Sequence, residues 1–183
     1  LICVERLHRQ SKEQIDLMYS LIHQQVDVIV LVPIDSKALV QPAVEAVRKG
    51  IPVINIDIQL DAQLLEQAGV EVAFVGPDNF AAAYEVGKLL GKKLRNEDKV
   101  AIIEGLAVAD NARQRKRGFI KAIEEKGLRL VASEPADWET EKAAEVFQAM
   151  WMRYPDLKAV YCSNDAMALG VLQQMQEKNA ICR

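Results

Sequence analysis

The chain has little of what catalysis, metal binding or nucleic-acid recognition would require. Its two histidines, His8 and His23, are too few and too far apart for a catalytic triad or a metal site. Its three cysteines, Cys3, Cys162 and Cys182, are odd in number and widely spaced. No Cys-x-x-Cys pair exists, which argues against zinc. Cys3 and Cys162 fall in apolar runs, where a buried thiol acts as a small hydrophobe. No apolar run approaches the roughly 18–20 residues of a membrane-spanning helix, so no membrane insertion is expected. The net charge of -3 and pI near 5.5 argue against a nucleic-acid partner, whose surface would normally be met by a basic one. No Gly-x-Gly-x-x-Gly follows a strand-like run, and there is no Gly-x-Ser-x-Gly elbow. Gly87–Lys93 has glycines and lysines without the phosphate-loop spacing or its Ser/Thr, and reads as close helix packing. No catalytic residue, metal or cofactor is therefore assigned.

An initiator Met, a basic leader and an apolar leader core are also missing. Leu1–Glu5 already reads as a strand, and residues 179–183 stop where another would begin. The expectation is a chain cut at both ends.

What is present is ordinary globular composition: 183 residues, 50% hydrophobic and 27% charged. Short apolar runs at 1–5, 27–32, 52–57, 71–75, 99–104, 129–133 and 158–163 alternate with amphipathic stretches. That alternation predicts βα units in an α/β fold. Val28–Val32 shows little polar alternation, as in a parallel sheet buried on both faces. Ile15, Met18, Tyr19 and Ile22 predict one inward helix face. Asp35-Ser36 predicts the start of the next helix, ended by Gly50 before Pro52. Residues 59–69 predict one short helix. Asp78 predicts a cap for a helix with Phe80, Tyr84, Gly87 and Leu94 inward. Ala144, Phe147 and Trp151 form a core stripe, and Met18, Met150, Met167 and Met175 read as core. The chain divides near Gly76-Pro77.

Several strands end in side chains suited to gripping a small polyhydroxylated molecule. Asp57 closes one run, and Glu104 closes another before a loop reaching Asn111 and Arg113. Trp138 follows a third, and Asn164 closes a fourth. Ligands of open parallel sheets bind beyond the carboxyl ends of the strands. Arg113, in the first turn of its helix, offers a planar fork for paired oxygens. Arg115 and Lys116 read as a solvated face, so Arg115→Ala should change little. Asn164 can cap the following helix and still contact a ligand. Trp138 can stack on a sugar ring or fill the core.

The motifs Ile51–Asp57, Val75–Asn79, Asn111–Arg115, Pro135–Trp138 and Ser163–Gly170 resemble, in order and spacing, those of type I periplasmic sugar-binding proteins, the ribose-binding branch above all. The stretch Asn164-Asp165-Ala166-Met167-Ala168 is shared with LacI-type regulator cores. The resemblance implies two Rossmann-like lobes, parallel sheets flanked by helices, closing over a sugar: residues 1–76 as an N-terminal lobe lacking its first βα unit, and 77–183 as a C-terminal lobe lacking its last strands. It implies ligand contact by Asp57, Arg113, Trp138 and Asn164, with Asn111 a weaker candidate. One departure is Ile58, where ribose-binding relatives usually have Arg. That leaves open a ligand other than ribose, or a different orientation. The function implied is capture of a sugar or polyol for an ABC importer, with a permease as partner, a periplasmic or extracytoplasmic location and a monomeric state when complete. The alternative is the effector-binding core of a LacI-type regulator. Residues 1–183 alone are expected to bind sugar poorly and to aggregate.

Overall fold

The computed structural model describes residues 11–177. The expected strand at 1–5, the onset of another at 179–183, and His8, Cys3 and Cys182 lie outside the described residues. The chain forms two compact units. One runs through Pro77 and takes in Val108–Asn111; the other comprises Asp78–Ala107 and the chain from Ala112 onward.

The first unit alternates α1 (Ser11–His23), β1 (Ile29–Leu31), α2 (Val40–Arg48), β2 (Val53–Ile56), α3 (Ala62–Ala68) and β3 (Ala73–Val75). Its strands lie in the order β1-β2-β3, and both pairs are parallel. A parallel pair needs a crossover, and the helices supply it. Met18, Leu21 and Ile22 of α1 and Val40, Ala43 and Val44 of α2 pack with Ile29, Leu31 and Val53 of the sheet. Asp61 caps α3 by accepting from Leu64 N at 3.0 Å. Gly50 and Gly69 end α2 and α3 with φ of +83° and +65°, a backbone that favours glycine.

The second unit holds α4 (Asn79–Gly91), β4 (Lys99–Glu104), β5 (Arg129–Pro135), α6 (Thr140–Arg153), β6 (Ala159–Cys162), α7 (Asp165–Glu177) and all but the first two residues of α5 (Asp110–Lys126). The sheet order is β5-β4-β6, all parallel. Residues Val100–Ile103 of central β4 are completely buried. Their alternation serves two cores. Ala101 and Ile103 join Ala143, Phe147, Met150 and Met167, while Val100 and Ile102 join Ala83, Phe119 and Ile123. Asp78 caps α4 through Ala81 N at 2.8 Å. Gly87 lets α4 meet α5, because a Cβ there would fall 2.6 Å from that of Ala122.

Four expectations change. The helix after Asp35 begins at Val40. Asp35 instead accepts from the amides of Lys37 and Ala38, making a turn. The backbone of Ser36 is committed elsewhere: its N–H donates to Val108 O and its carbonyl accepts from Asp61 N. In α1 Tyr19 is exposed, and Gln14 is buried in its place. The Gln14 amide donates to Val32 O at 2.7 Å and accepts from Ile34 N at 2.8 Å, joining groups just past the end of β1. The α6 stripe is Ala143, Phe147 and Met150, with Trp151 half-buried beside Phe147. Finally, the first sheet is not covered on both faces by the described residues. Val28, Val30, Ile54 and Val75 stay exposed, because its described helices pack on the face that holds Ile29, Leu31 and Val53.

Asn55 ties the first unit together. It is buried in β2; its Nδ2 donates to Leu31 O at 3.2 Å and Ile58 O at 2.8 Å, and its Oδ1 accepts from Leu60 N at 2.8 Å. Asn55→Leu would leave these groups unpaired in the interior. The expected cost is about 3 kcal/mol or more, since three groups lose their partner and each buried unsatisfied group costs about 1–3. Urea unfolding checks this, and a loss near zero would show that the amide is not needed.

Candidate functional site

In the first unit Asp57 follows β2 in the left-handed region, φ +62°, with its amide donating to Val75 O at 3.0 Å. A non-glycine residue there is strained, and such strain gathers at ligand clamps. The Asn55 clamp over residues 58–60 holds the turn. Asp57 is exposed, and among the described residues its carboxylate meets no partner. Ile58 beside it is 5% exposed. Asn111 belongs to the same unit. Its segment is held by Ser36, whose hydroxyl accepts from Asp110 N at 2.9 Å. Asn111 is buried, and its Oδ1 is a buried side-chain oxygen with no hydrogen-bond partner among the described residues. A buried acceptor left bare calls for a donor from outside.

In the second unit Arg113 is half-buried and its Nη1 donates to Ala107 O at 3.2 Å, in the loop after β4. Trp138 follows β5, with left-handed φ at both Asp137 (+50°) and Trp138 (+68°). Asp137 is ion-paired with Lys142 of α6. Trp138 is half-buried against the core of α6 and α7. A Cβ on Gly105 would lie 2.1–2.3 Å from three consecutive carbons of the indole. Nearly equal distances to three neighbouring ring atoms place it over the ring face and not off its edge. The backbone at Gly105 therefore occupies part of one face of the indole. Asn164 caps α7, its Oδ1 accepting from Met167 N at 2.9 Å. Among the described residues its Nδ2 meets no acceptor, so the cap leaves two donors for a ligand.

The reading of Arg115 and Lys116 as a solvated face is corrected. The Lys116 ammonium donates to Glu104 Oε1 at 2.7 Å, and the same oxygen accepts from Ser133 Oγ. Glu104 is thereby engaged inside the unit and its side chain is only 16% exposed. Arg115 Nε donates to Asn79 Oδ1 at 2.8 Å and its Nη1 to Ser163 O at 2.6 Å, while the guanidinium lies over the Trp138 ring, 5.6 Å from its centroid. The charge-rich helix gave no sign of this, because the partners come from three distant segments. Among the described residues no cluster of His, Cys, Asp or Glu could hold a metal ion. No described helix is long and apolar enough to cross a membrane.

Residues 8–181 match the periplasmic binding protein domain family. The chain is 42% identical over 166 residues to the D-ribose/D-allose-binding protein of Pseudomonas aeruginosa, covering 91% of this chain and 52% of that protein. It is 38% identical to the D-allose-binding periplasmic protein of Escherichia coli, covering 88% of this chain and 53% of that protein. An ABC transporter periplasmic solute-binding protein of Actinobacillus succinogenes, solved with bound D-allose, superposes with a TM-score of 0.88 at 33% identity, over 98% of this chain and 63% of that one. The chain thus spans about half the length of these curated relatives.

Burial pushes the Cys162 thiol, one strand residue before Ser163-Asn164, up to about 12 from an ordinary value of 9.0. At pH 8 the thiolate fraction is then lower by roughly a thousandfold than for a free cysteine. Iodoacetamide should leave Cys162 unmodified in the native protein at pH 8 and label it promptly in urea, as read by peptide mass spectrometry. Prompt native labelling would place the thiol in water. The unfolded thiol ionises first as pH rises through about 9. Cys162 therefore lowers stability above that pH.

Proposed function

Given that the chain belongs to the periplasmic binding protein domain family, we propose that it is part of a substrate-binding protein that captures a sugar or polyol for ABC-type import. Asp57 and Asn111 from the first unit, and Arg113, Trp138 and Asn164 from the second, are the proposed ligand contacts. Residues 1–76 and 77–183 are read as portions of two lobes. The partner is an ABC permease, the location is periplasmic or extracytoplasmic, and the complete protein is a monomer. The observation that carries this reading is the bare Oδ1 of buried Asn111, an acceptor that a ligand hydroxyl satisfies. The exposed Asp57 carboxylate and the spare donors of Asn164 support it. Hydroxyls both donate and accept, so a polyol suits the chemistry of each of the three. The relatives' names, which include ribose, allose and xylitol, support the ligand class.

Calorimetry on the full-length gene product tests the proposal, with D-allose, D-ribose, xylitol and myo-inositol as titrants. At least one should bind with a micromolar or tighter constant. Arg113→Ala should weaken binding by about 1.5–3 kcal/mol, the scale of hydrogen bonds to a charged group. Trp138→Ala should weaken it as well, and Trp138→Phe less, since a phenyl ring keeps part of the stacking. Heat traces without binding for every sugar, or an Arg113→Ala variant of full affinity, would reject the assignment.

A further inference from the structure

We propose that Arg115 is the positioning residue of the second unit's ligand face, fixing Trp138 and the turn that carries Asn164. The inference rests on the sugar-binding reading for its consequence, though not for its geometry. Its guanidinium meets three segments far apart in sequence. One N–H goes to Asn79 Oδ1 in the first turn of α4, and another to the carbonyl of Ser163, the residue before Asn164; the cation lies over the Trp138 ring. Both hydrogen-bonding partners are held in turn. Asn79 and Ser163 are 4% and 3% exposed, and the Ser163 hydroxyl donates to Ile103 O in central β4. The fork is thus anchored to rigid elements.

Trp138 needs such a hold. Its own backbone is left-handed, a conformation an aromatic residue rarely adopts. Gly105 supports one face of the indole but, having no side chain, cannot grip it. A cation over an aromatic ring is attracted by its electron-rich face. The planar fork that makes two directed hydrogen bonds while lying over a ring is beyond lysine. Arg115 touches no ligand in this scheme. It acts through Trp138 and the Ser163-Asn164 turn.

The test uses the full-length gene product labelled with 5-fluorotryptophan, the Trp138 fluorine resonance being identified by its absence in Trp138→Phe. In ligand-free protein Arg115→Met should shift and broaden that resonance, and Arg115→Lys should restore it only in part. The affinity for D-allose should fall about 10–100-fold in Arg115→Met, the scale of lost charge-assisted hydrogen bonds. In a Trp138→Ala background, which has no ring for the guanidinium to hold, the same substitution should cost no more than about a third of that factor, because the route through the indole is gone and only that through the Ser163-Asn164 turn remains. Equal losses in both backgrounds, or an unmoved resonance, would overturn the proposal. Should Arg115→Met fail to fold, Asn79→Ala removes one anchor and keeps the cation: a smaller displacement of the resonance supports the role, and none refutes it. If the parent protein binds none of D-allose, D-ribose, xylitol and myo-inositol, the sugar reading fails. The resonance then decides the positioning by itself, moved in support or unmoved in refutation.

Discussion

Parallel strand pairing is the constraint from which the rest follows. Two parallel strands cannot be joined by a tight hairpin, so each connection must carry a helix back along the sheet. All strands of a sheet then finish at one edge, and each finish leads toward a helix N-terminus. Asp57, Glu104, Trp138 and Asn164 all stand just at or after such a finish, in the order β2, β4, β5 and β6. Helix starts also carry amides that need acceptors, and Asp61 in the first unit and Asp78 and Asn164 in the second supply three of them. Structure and ligand binding therefore draw on the same polar residue types at the same places.

What separates the two uses is which polar atoms the fold consumes. Glu104 is consumed by Lys116 and Ser133, and Arg115 by Asn79 and Ser163. Asn55 spends both ends of its amide on its own turn and on Leu31 of β1. Asn164 spends its oxygen and keeps its nitrogen, Asn111 has a bare oxygen, and Asp57 keeps its carboxylate. Three of the five residues that the strand-end argument and the family resemblance select thus keep hydrogen-bonding capacity unspent among the described residues. Asp57 and Trp138 add a second mark, since both are among the few non-glycine residues with positive φ.

Local chemistry was the legible part. The apolar runs at 52–57 and 99–104 contain β2 and β4 within a residue at each end, because β-branched side chains in a βα rhythm have few other fates. Asp78 capped as expected, since capping depends on the residues just beyond it. The illegible part was long-range. Nothing near Gln14 reveals that Val32 O and Ile34 N lie within its reach, nor near Ser36 that Val108 and Asp110 do. Arg115 and Lys116 sit in a run of charges where solvent is the default, and only the partners at 79, 104 and 163 reverse it. The left-handed backbone at Trp138 has no local signal, as neither Asp137-Trp138 nor the residues around it include glycine. The sheet face that the described residues leave exposed in the first unit is likewise unreadable, because Val28, Val30 and Ile54 are as apolar as the residues on the covered face.

Ile58 shows how one backbone angle redistributes these roles. A strand that continued straight would send residues 57 and 58 to opposite faces. The left-handed turn at Asp57 ends that alternation, and the Ile58 amide and carbonyl are taken by Ile56 O and the Asn55 side chain. The carboxylate is left exposed while the next side chain goes inside. An arginine at 58, as in the ribose-binding pattern the chain resembles, would have to carry its charge out of the space Ile58 fills, because an unpaired buried cation is costly. Isoleucine accepts the burial outright. The departure at 58 is thus a packing solution as well as a lost pair of donors, and it leaves Asp57 as the exposed polar side chain of this turn.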